Sequence, residues 1–220
     1  MDLSKIILLF EPGHGDRDST IGKHSCDFVV VNGKKIYGLY EGEWARLVVP
    51  KIVSACRALG LDARQTVTEK TDPSLTERCY RVNQIVKANP DKKVYFWSIH
   101  LNAAASDGKW HDATGVTAWV AENASVESKA MARLYWETGI EMGLKGNRSV
   151  PKEKYKKARF TVLTGTKCPA VLTESCFQDN EQESKWLRTP EGRETIVNLH
   201  VAAVCKFFGI PVGICSETAK

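Results

Sequence analysis

The 220-residue sequence predicts a single α/β domain in which helices cover both faces of a mainly parallel sheet. Short apolar runs alternate along the chain with longer segments of helical periodicity, as in such sheets. The composition, 43% hydrophobic and 26% charged residues, is that of an ordinary globular protein. No repeat or linker interrupts the chain. We therefore assign residues 1–210 to one domain and residues 211–220 to a C-terminal tail.

Apolar runs bounded by turn residues predict four strands, at residues 6–10, 94–98, 115–120 and 170–173. A separate hairpin is expected where residues 28–31 and 35–37 flank Asn32 and Gly33. This dipeptide supplies the positive φ angles that a type I′ turn requires. The sequence thus predicts one sheet and an additional two-stranded ribbon.

Helical spacing of apolar residues predicts four helices, at residues 44–59, 74–87, 126–142 and 191–208. Gly60 ends the first, and Ser74 with Glu77 forms a capping-box pattern at the start of the second. Pro50 cannot donate a backbone hydrogen bond, so we expect a kink or a late start in the first helix. Residues 143–157 are interpreted as a basic loop.

Side chains that can bind a metal or carry a proton follow three of the predicted strands: His14, His100 and Glu174. In parallel sheets the ligand crevice lies beyond the carboxyl ends of the strands. We therefore expect these three side chains to converge, although they are far apart in the sequence.

Two neutral imidazoles and a carboxylate form a three-ligand zinc site with an open fourth position, which is the catalytic rather than the structural arrangement. Such a site favours hydrolysis, with a further carboxylate transferring the proton of the attacking water. Glu174 is the candidate for that carboxylate. The other histidines, His24, His111 and His200, are interpreted as non-ligands. The carboxylates of Glu69, Glu127 and Glu183 are interpreted as solvated.

Three sequence runs occur in the order found in a known enzyme family. They are Glu11-Pro12-Gly13-His14-Gly15, Ser98-Ile99-His100-Leu101-Asn102-Ala103 and Pro169-Ala170-Val171-Leu172-Thr173-Glu174-Ser175-Cys176-Phe177. Together they resemble the zinc-dependent N-acetylmuramoyl-L-alanine amidases of the amidase-3 type. Further matching positions are Arg78, Asn83, Gly146-Asn147-Arg148, Phe160-Thr161-Val162-Leu163 and Asn180. The resemblance covers residues 6–210.

The resemblance implies that His14, Glu41 and His100 bind Zn2+ and that Glu174 is the catalytic carboxylate. It also implies a twisted six-stranded sheet. Glu41 is preferred to Glu43 by its spacing from the following helix, although the asparagine that the family has four positions later is Ala45 here. Glu43 therefore stays open as the third ligand.

Two positions depart from the family pattern without removing a ligand or the catalytic carboxylate. The aspartate before the first Pro-Gly-His is Glu11 here, and the glycine after the late arginine is Ser149. Because Glu11 lies beside the metal loop, its longer side chain is expected to adjust the contacts that support the ligands. The loops at 103–108 and 143–157 are expected to form the walls of the substrate groove.

The implied activity is hydrolysis of the amide between N-acetylmuramic acid and L-alanine, with peptidoglycan as the partner. The alternatives are a zinc endopeptidase acting within the stem peptide or cross-link, and a non-catalytic wall-binding module. Nucleic-acid binding is excluded because the 31 basic and 26 acidic residues are interspersed. The sequence does not predict an oligomeric state.

The sequence also predicts where the protein acts. Its N-terminus lacks a signal-peptide pattern, no apolar run reaches the ~20 residues of a membrane helix, and its seven cysteines contain no CxxC pair. We therefore expect a phage lysin that is made in the bacterial cytoplasm and reaches the wall through holin-type release. A secreted host enzyme whose leader has been removed is the alternative.

Overall fold

The computed structural model describes residues 2–211, so the predicted tail lies almost entirely outside the described residues. The strands are β1 (Ile6–Pro12), β2 (Phe28–Val31), β3 (Lys34–Tyr37), β4 (Asp62–Gln65), β5 (Lys93–Asn102), β6 (Thr117–Val120), β7 (Lys156–Lys157) and β8 (Ala170–Phe177). The helices are α1 (Glu41–Ala58), α2 (Leu75–Ala88), α3 (Val126–Glu141), α4 (Thr161–Thr164), α5 (Glu181–Leu187) and α6 (Pro190–Phe208).

Six strands form one sheet in the order β4-β1-β5-β8-β6-β7. All neighbouring pairs are parallel except β6 and β8, which run antiparallel. This confirms the predicted mostly parallel, six-stranded sheet. The remaining two strands, β2 and β3, pair with each other as a separate ribbon.

Both faces of the sheet are buried, which explains why its strands appear in the sequence as uninterrupted apolar runs. In β1, Ile6, Leu8 and Phe10 join a core with residues of α1, α3 and α6. Ile7 and Leu9 point the other way, into a second core with residues of α2 and α4. Helices therefore cover both faces, as predicted.

Two central strands are longer than the sequence predicts. β5 continues to Asn102 and β8 to Phe177, so His100 and Glu174 lie within strands instead of after them. The prediction ended each strand where its apolar run ended. Backbone pairing continues beyond that point, with His100 opposite Glu174. The apolar run ends before the strand does because the side chains on one face of the strand become polar.

The hairpin prediction is confirmed, with φ angles of 51° at Asn32 and 73° at Gly33. Of the two outcomes predicted for Pro50, the late helix start is wrong and the kink stays a prediction. α1 begins at Glu41 and runs through Pro50, whose ring faces the exposed side of the helix. The basic loop at 143–157 ends in the short edge strand β7, which the sequence analysis did not predict.

Among the described residues, no helix has the length and apolar character needed to cross a lipid bilayer.

Candidate active site

The loop after β1 carries His14 in a left-handed backbone conformation, with a φ angle of 53°. Such a conformation is uncommon for a residue with a side chain and often occurs at functional sites. Gly13 is required beside it, because a Cβ atom there would lie 2.2 Å from Cε1 of His100. The close approach of this backbone to His100 thus brings the two histidines together.

Arg78 of α2 holds the loop in place through hydrogen bonds to its backbone. Its side chain is 2% exposed and donates hydrogen bonds to the carbonyl oxygens of Pro12 (2.9 Å) and His14 (3.3 Å). It also forms ion pairs with Glu11 (3.3 Å) and Asp72 (2.8 Å). Arg78 therefore stabilises the backbone that presents His14.

His100 is oriented by contacts to both of its ring nitrogens. Nδ1 lies 2.8 Å from Oε1 of Glu41, and Nε2 lies 3.0 Å from Oγ of Ser98. Ser98 shares a strand face with His100, two residues away, and donates to Oε1 of Glu11 at 3.0 Å. The Glu11 carboxylate thus contacts His100 through one intervening hydroxyl.

Glu41 is the first residue of α1 and is 1% exposed. A helix N-terminus favours a negative charge, which offsets part of the cost of burying this carboxylate. Its oxygens accept hydrogen bonds from the Leu101 amide (3.1 Å) and the side-chain amide of Gln178 (3.1 Å). Both donors fix the carboxylate toward the histidines.

His14, Glu41 and His100 form a compact cluster. One ligand atom from each lies within 4.8 Å of the other two, and Nε2 of His14 is 3.4 Å from Oε1 of Glu41. The two imidazole rings are nearly perpendicular, at 84°, with centroids 4.9 Å apart. Two nitrogen atoms and one oxygen atom that can ligate a metal therefore lie around one small volume.

The electrostatics of the cluster favour the protonation states that bind metals. Burial lowers the pKa of His100 to about 4, despite its hydrogen bond with Glu41. Burial alone would raise the pKa of Glu41, but the close contacts of its carboxylate with His14 and His100 outweigh burial and hold this pKa well below the ordinary value. Neutral imidazole beside ionised carboxylate is the form of these groups that ligates zinc.

Glu174 lies across the strand pair from His100, but it is not part of the ligand cluster. Burial raises its pKa well above the ordinary value, and the negative charge of Glu41 raises it further. Its Oε2 atom is buried and has no hydrogen-bond partner among the described residues. Glu174 thus presents a carboxyl oxygen to the same cavity that the ligands line.

The alternative ligand Glu43 lies away from the cluster, where it pairs with Arg17 at 3.0 Å on the surface. A second group of potential ligands, His14, Asp18 and Asp72, also has its ligand atoms within 4.8 Å of one another. Asp72 is exposed and already paired with Arg78, so this second group is the weaker candidate.

The remaining histidines lie outside the cluster. His24 is buried and its ring stacks on Tyr37, with centroids 3.4 Å apart. His111 pairs with Asp107, and His200 is buried in the core. The interpretation of Glu183 as a solvated residue is wrong, because its carboxylate accepts hydrogen bonds from the backbone amides of Gly115 and Phe177.

The cavity at the cluster has a volume of about 470 Å³. The prediction that the loops at 103–108 and 143–157 form its walls is wrong. Its walls are the segment that leads into α2, from Asp72 to the first helical residue Leu75, and the segment from Arg159 to Val162. The 143–157 loop instead borders a separate cavity of about 570 Å³ through Gly143, Leu144 and Lys145.

Three residues of the site were not identified as functional from the sequence. Ser98 could have been found, because alternate residues of a strand share a face and it precedes His100 by two. Lys23, whose Nζ lies 3.9 Å from Oε2 of Glu41, carries no local signal, and neither does Gln178. Both reach the site through long-range packing.

An α/β domain that gathers two imidazoles and two carboxylates over the end of a parallel sheet has the architecture of a metal-dependent hydrolase. Comparison with known proteins specifies the family. Residues 8–206 match the amidase-3 family of N-acetylmuramoyl-L-alanine amidases, and the chain belongs to that family.

One curated relative and two solved structures are similar to this chain. The endolysin of Bacillus phage SPP1 is 24% identical over 208 residues, which cover 94% of this chain and 68% of the endolysin. The amidase Ami1 from Mycobacterium smegmatis has the same fold, with a TM-score of 0.73 at 18% identity, covering 94% of this chain and 98% of Ami1. An amidase from Clostridium difficile 630 matches with a TM-score of 0.70 at 21% identity, covering 92% and 96%.

Proposed function

We propose that this protein is a zinc-dependent amidase that hydrolyses the bond between N-acetylmuramic acid and L-alanine in peptidoglycan, with His14, Glu41 and His100 as the metal ligands. The observation that carries the proposal is the cluster itself, in which three ligand atoms lie within 4.8 Å of one another beside Glu174, a non-ligand carboxyl group whose Oε2 atom is buried. The family to which the chain belongs has this activity by name.

The donor set fits zinc. Two imidazole nitrogens and one carboxylate oxygen are borderline ligands that zinc accepts, and three protein ligands leave one position open. Nε2 of His14 is buried and has no hydrogen-bond partner among the described residues, as expected for an atom reserved for another ligand. Bound there, zinc supplies Lewis acidity toward the scissile carbonyl and the attacking water.

Glu174 is proposed to carry the proton between the attacking water and the leaving amine. Its unpartnered Oε2 atom faces the ligand cavity. Its raised pKa brings it nearer to the range in which a carboxyl group can both accept and return a proton near neutral pH. Lys23 lines the same cavity, and its positive charge offsets part of this rise in the pKa of Glu174.

Ser98 and Glu11 orient the His100 ring rather than take part in the reaction. The hydroxyl contacts Nε2 and leaves Nδ1 facing Glu41, so the ring presents one defined nitrogen to the cluster. Contacts of this kind fix the tautomer and direction of metal-binding histidines.

We further propose that the protein is a lysin that reaches the wall from the cytoplasm through holin-type release. Support comes from the similarity to a phage endolysin over 94% of this chain. The alternative is a secreted host enzyme. Fractionation of host cells after phage induction distinguishes the two. A lysin should stay in the cytoplasmic fraction until the cells lyse, whereas a secreted enzyme should be found in the medium or wall fraction before lysis.

Digestion of purified cell walls, followed by mass spectrometry, tests the reaction. The expected products are intact stem peptides with a new L-alanine amino terminus, uncut glycan strands and no new reducing sugar ends. New D-amino-acid or diamino-acid termini would show an endopeptidase instead. Reducing ends without free L-alanine termini would contradict the proposal altogether.

A further inference from the structure

Three cationic residues line the ligand cavity, and they differ in whether a carboxylate of the protein already pairs with them. Arg78 is buried and engaged with Glu11 and Asp72. Lys23 lies 3.9 Å from Glu41. Arg159 is exposed, and among residues 2–211 it has no hydrogen-bonding or ion-pairing partner. One cation on the cavity wall is therefore available to an incoming ligand.

The backbone that carries Arg159 is held firmly on both sides. The Ala158 amide donates to the carbonyl of Val120 at 3.0 Å, continuing the edge of the sheet. Phe160, next in sequence, packs its ring against Trp119 with centroids 5.3 Å apart and caps α4. The position of Arg159 on the wall is therefore defined by the fold, and the residue lines the cavity while remaining exposed to solvent.

The dimensions place this cation within reach of a bound peptide. A space of about 470 Å³ is roughly 10 Å across, and an extended peptide advances at most ~3.5 Å per residue. A substrate whose scissile carbonyl lies at the ligand cluster therefore brings its second amino acid to the walls of the same cavity. Other lining residues, among them Pro73, Leu75 and Val162, are apolar and suit the peptide's uncharged portions.

We propose that Arg159 binds the α-carboxylate of the second stem-peptide residue and makes the enzyme prefer walls in which this group is free over walls in which it is amidated. The inference rests on the proposed function, because it takes the scissile amide to lie at the His14-Glu41-His100 cluster. The second residue of the stem is a D-glutamate linked through its side chain, so its α-carboxyl group remains available. A guanidinium recognises a carboxylate through paired hydrogen bonds that an amide cannot reproduce.

The test uses two muramoyl tripeptides that differ only in this group, one with D-glutamate and one with D-isoglutamine. Affinity for each is measured by calorimetry in the zinc-loaded Glu174→Gln protein, which leaves the peptides intact. The acid is expected to bind about tenfold more tightly than the amide, the scale of a charge-assisted hydrogen bond weakened by solvent. In Glu174→Gln/Arg159→Gln the two affinities become equal.

Lys152→Gln in the same background is the matched control. Lys152 is exposed in the basic loop at 143–157, which precedes Arg159, and it does not line the cavity, so its replacement removes one charge without touching the proposed contact. It should leave the acid preference intact, whereas Arg159→Lys should retain part of it. An acid preference that survives in Arg159→Gln, or that falls equally in Lys152→Gln, overturns the inference.

Turnover by the otherwise wild-type enzyme separates the two proposals. Cleavage of both peptides with equal kcat/KM in wild type and Arg159→Gln would refute the role of Arg159 while supporting the amidase. If neither peptide is cleaved, the amidase proposal fails on this substrate, and the binding ratios alone decide the role of Arg159. Raising the salt concentration should reduce the acid preference of the wild type, because the contact is exposed to solvent.

Discussion

Glu174 of β8 lies directly opposite His100 of β5 in a parallel strand pair. The two residues therefore share a backbone ladder although only one of them belongs to the ligand cluster. This register places a half-buried carboxyl group beside the cluster without making it a ligand. It also gives the two groups separable roles, which single substitutions can distinguish.

Replacing Glu174 by Gln should abolish most of the activity and leave the metal in place. The amide is isosteric with the carboxyl group but cannot transfer the proton, so turnover should fall by at least ~100-fold. Zinc content, measured by elemental analysis, should stay at about one ion per chain. Glu127→Gln, at a half-buried glutamate of α3 that does not line the ligand cavity, is the control and should behave as wild type. Near-normal turnover in Glu174→Gln would remove this residue from the mechanism.

Separate replacement of Glu41 and Glu43 by Ala decides the third ligand. Glu41 is buried against both histidines, whereas Glu43 pairs with Arg17 on the surface. Glu41→Ala should lose most of the zinc during dialysis, and Glu43→Ala should retain it. Greater loss from Glu43→Ala would reverse the assignment.

Ser98→Ala tests whether the support of His100 matters for metal affinity. Loss of the hydroxyl frees the ring to turn and disconnects Glu11, so zinc should bind about 10- to 100-fold more weakly in competition with a chelator. Ser175→Ala is the matched control, because Ser175 is a buried serine that contacts Tyr135 and no proposed ligand. Equal zinc affinity in the two variants would contradict a supporting role for Ser98.

Arg78→Met should destabilise the metal-free protein strongly. The substitution leaves Glu11 buried at 1% exposure without its cationic partner, a change that typically costs ~3–5 kcal/mol. Urea unfolding in the presence of a chelator measures the effect. Adding Glu11→Gln should recover part of the loss, since it removes the uncompensated charge.

Arg81→Met provides the comparison for that experiment. Arg81 lies on the same helix and forms ion pairs with Glu69 and Glu77, but these groups are about one third exposed or more. Its replacement should change the free energy of unfolding by less than ~1 kcal/mol. A similar loss in Arg78→Met and Arg81→Met would show that burial of the Arg78 ion pairs is unimportant.

The sequence predicts the central part of this fold well, because its strands are buried on both faces and appear as apolar runs. The sequence does not predict the strands that form only by pairing with a segment far away in the chain. β4 is a polar four-residue segment that forms a strand only because β1 lies beside it, and β7 is only two residues long. Short elements of this kind have no periodicity for a sequence analysis to detect.

In the candidate site too, some residues can be predicted from the sequence and others cannot. His14 and His100 stand out because each lies at the polar end of an apolar run. The walls of the cavity were predicted wrongly because Gly-rich composition indicates a loop but not where that loop packs. Lys23 and Gln178 reach Glu41 from segments that are distant in the sequence, so only the folded chain reveals them.

The last prediction concerns His200, a core residue that contributes to the pH dependence of stability. It is fully buried in α6, where Nδ1 lies 2.8 Å from the carbonyl oxygen of Ile196. Nδ1 must be the donor in that contact, so Nε2 accepts the hydroxyl of Thr173 at 2.9 Å. Burial lowers the pKa of His200 to about 4, which means that the folded state holds it neutral.

An unfolded histidine has a pKa near ~6.5, so as the pH falls the unfolded chain takes up this proton before the folded protein does. The contribution of His200 is therefore complete above pH ~6.5 and is lost as the pH falls toward 4, by up to ~3 kcal/mol. Urea unfolding of chelated protein between pH 7.5 and 4.5 should show a shallower decline for His200→Gln than for wild type. His111→Gln, at a partly exposed site where the hydrogen bond with Asp107 raises the pKa, should not reproduce that change. Parallel stability curves for wild type and His200→Gln would contradict the prediction.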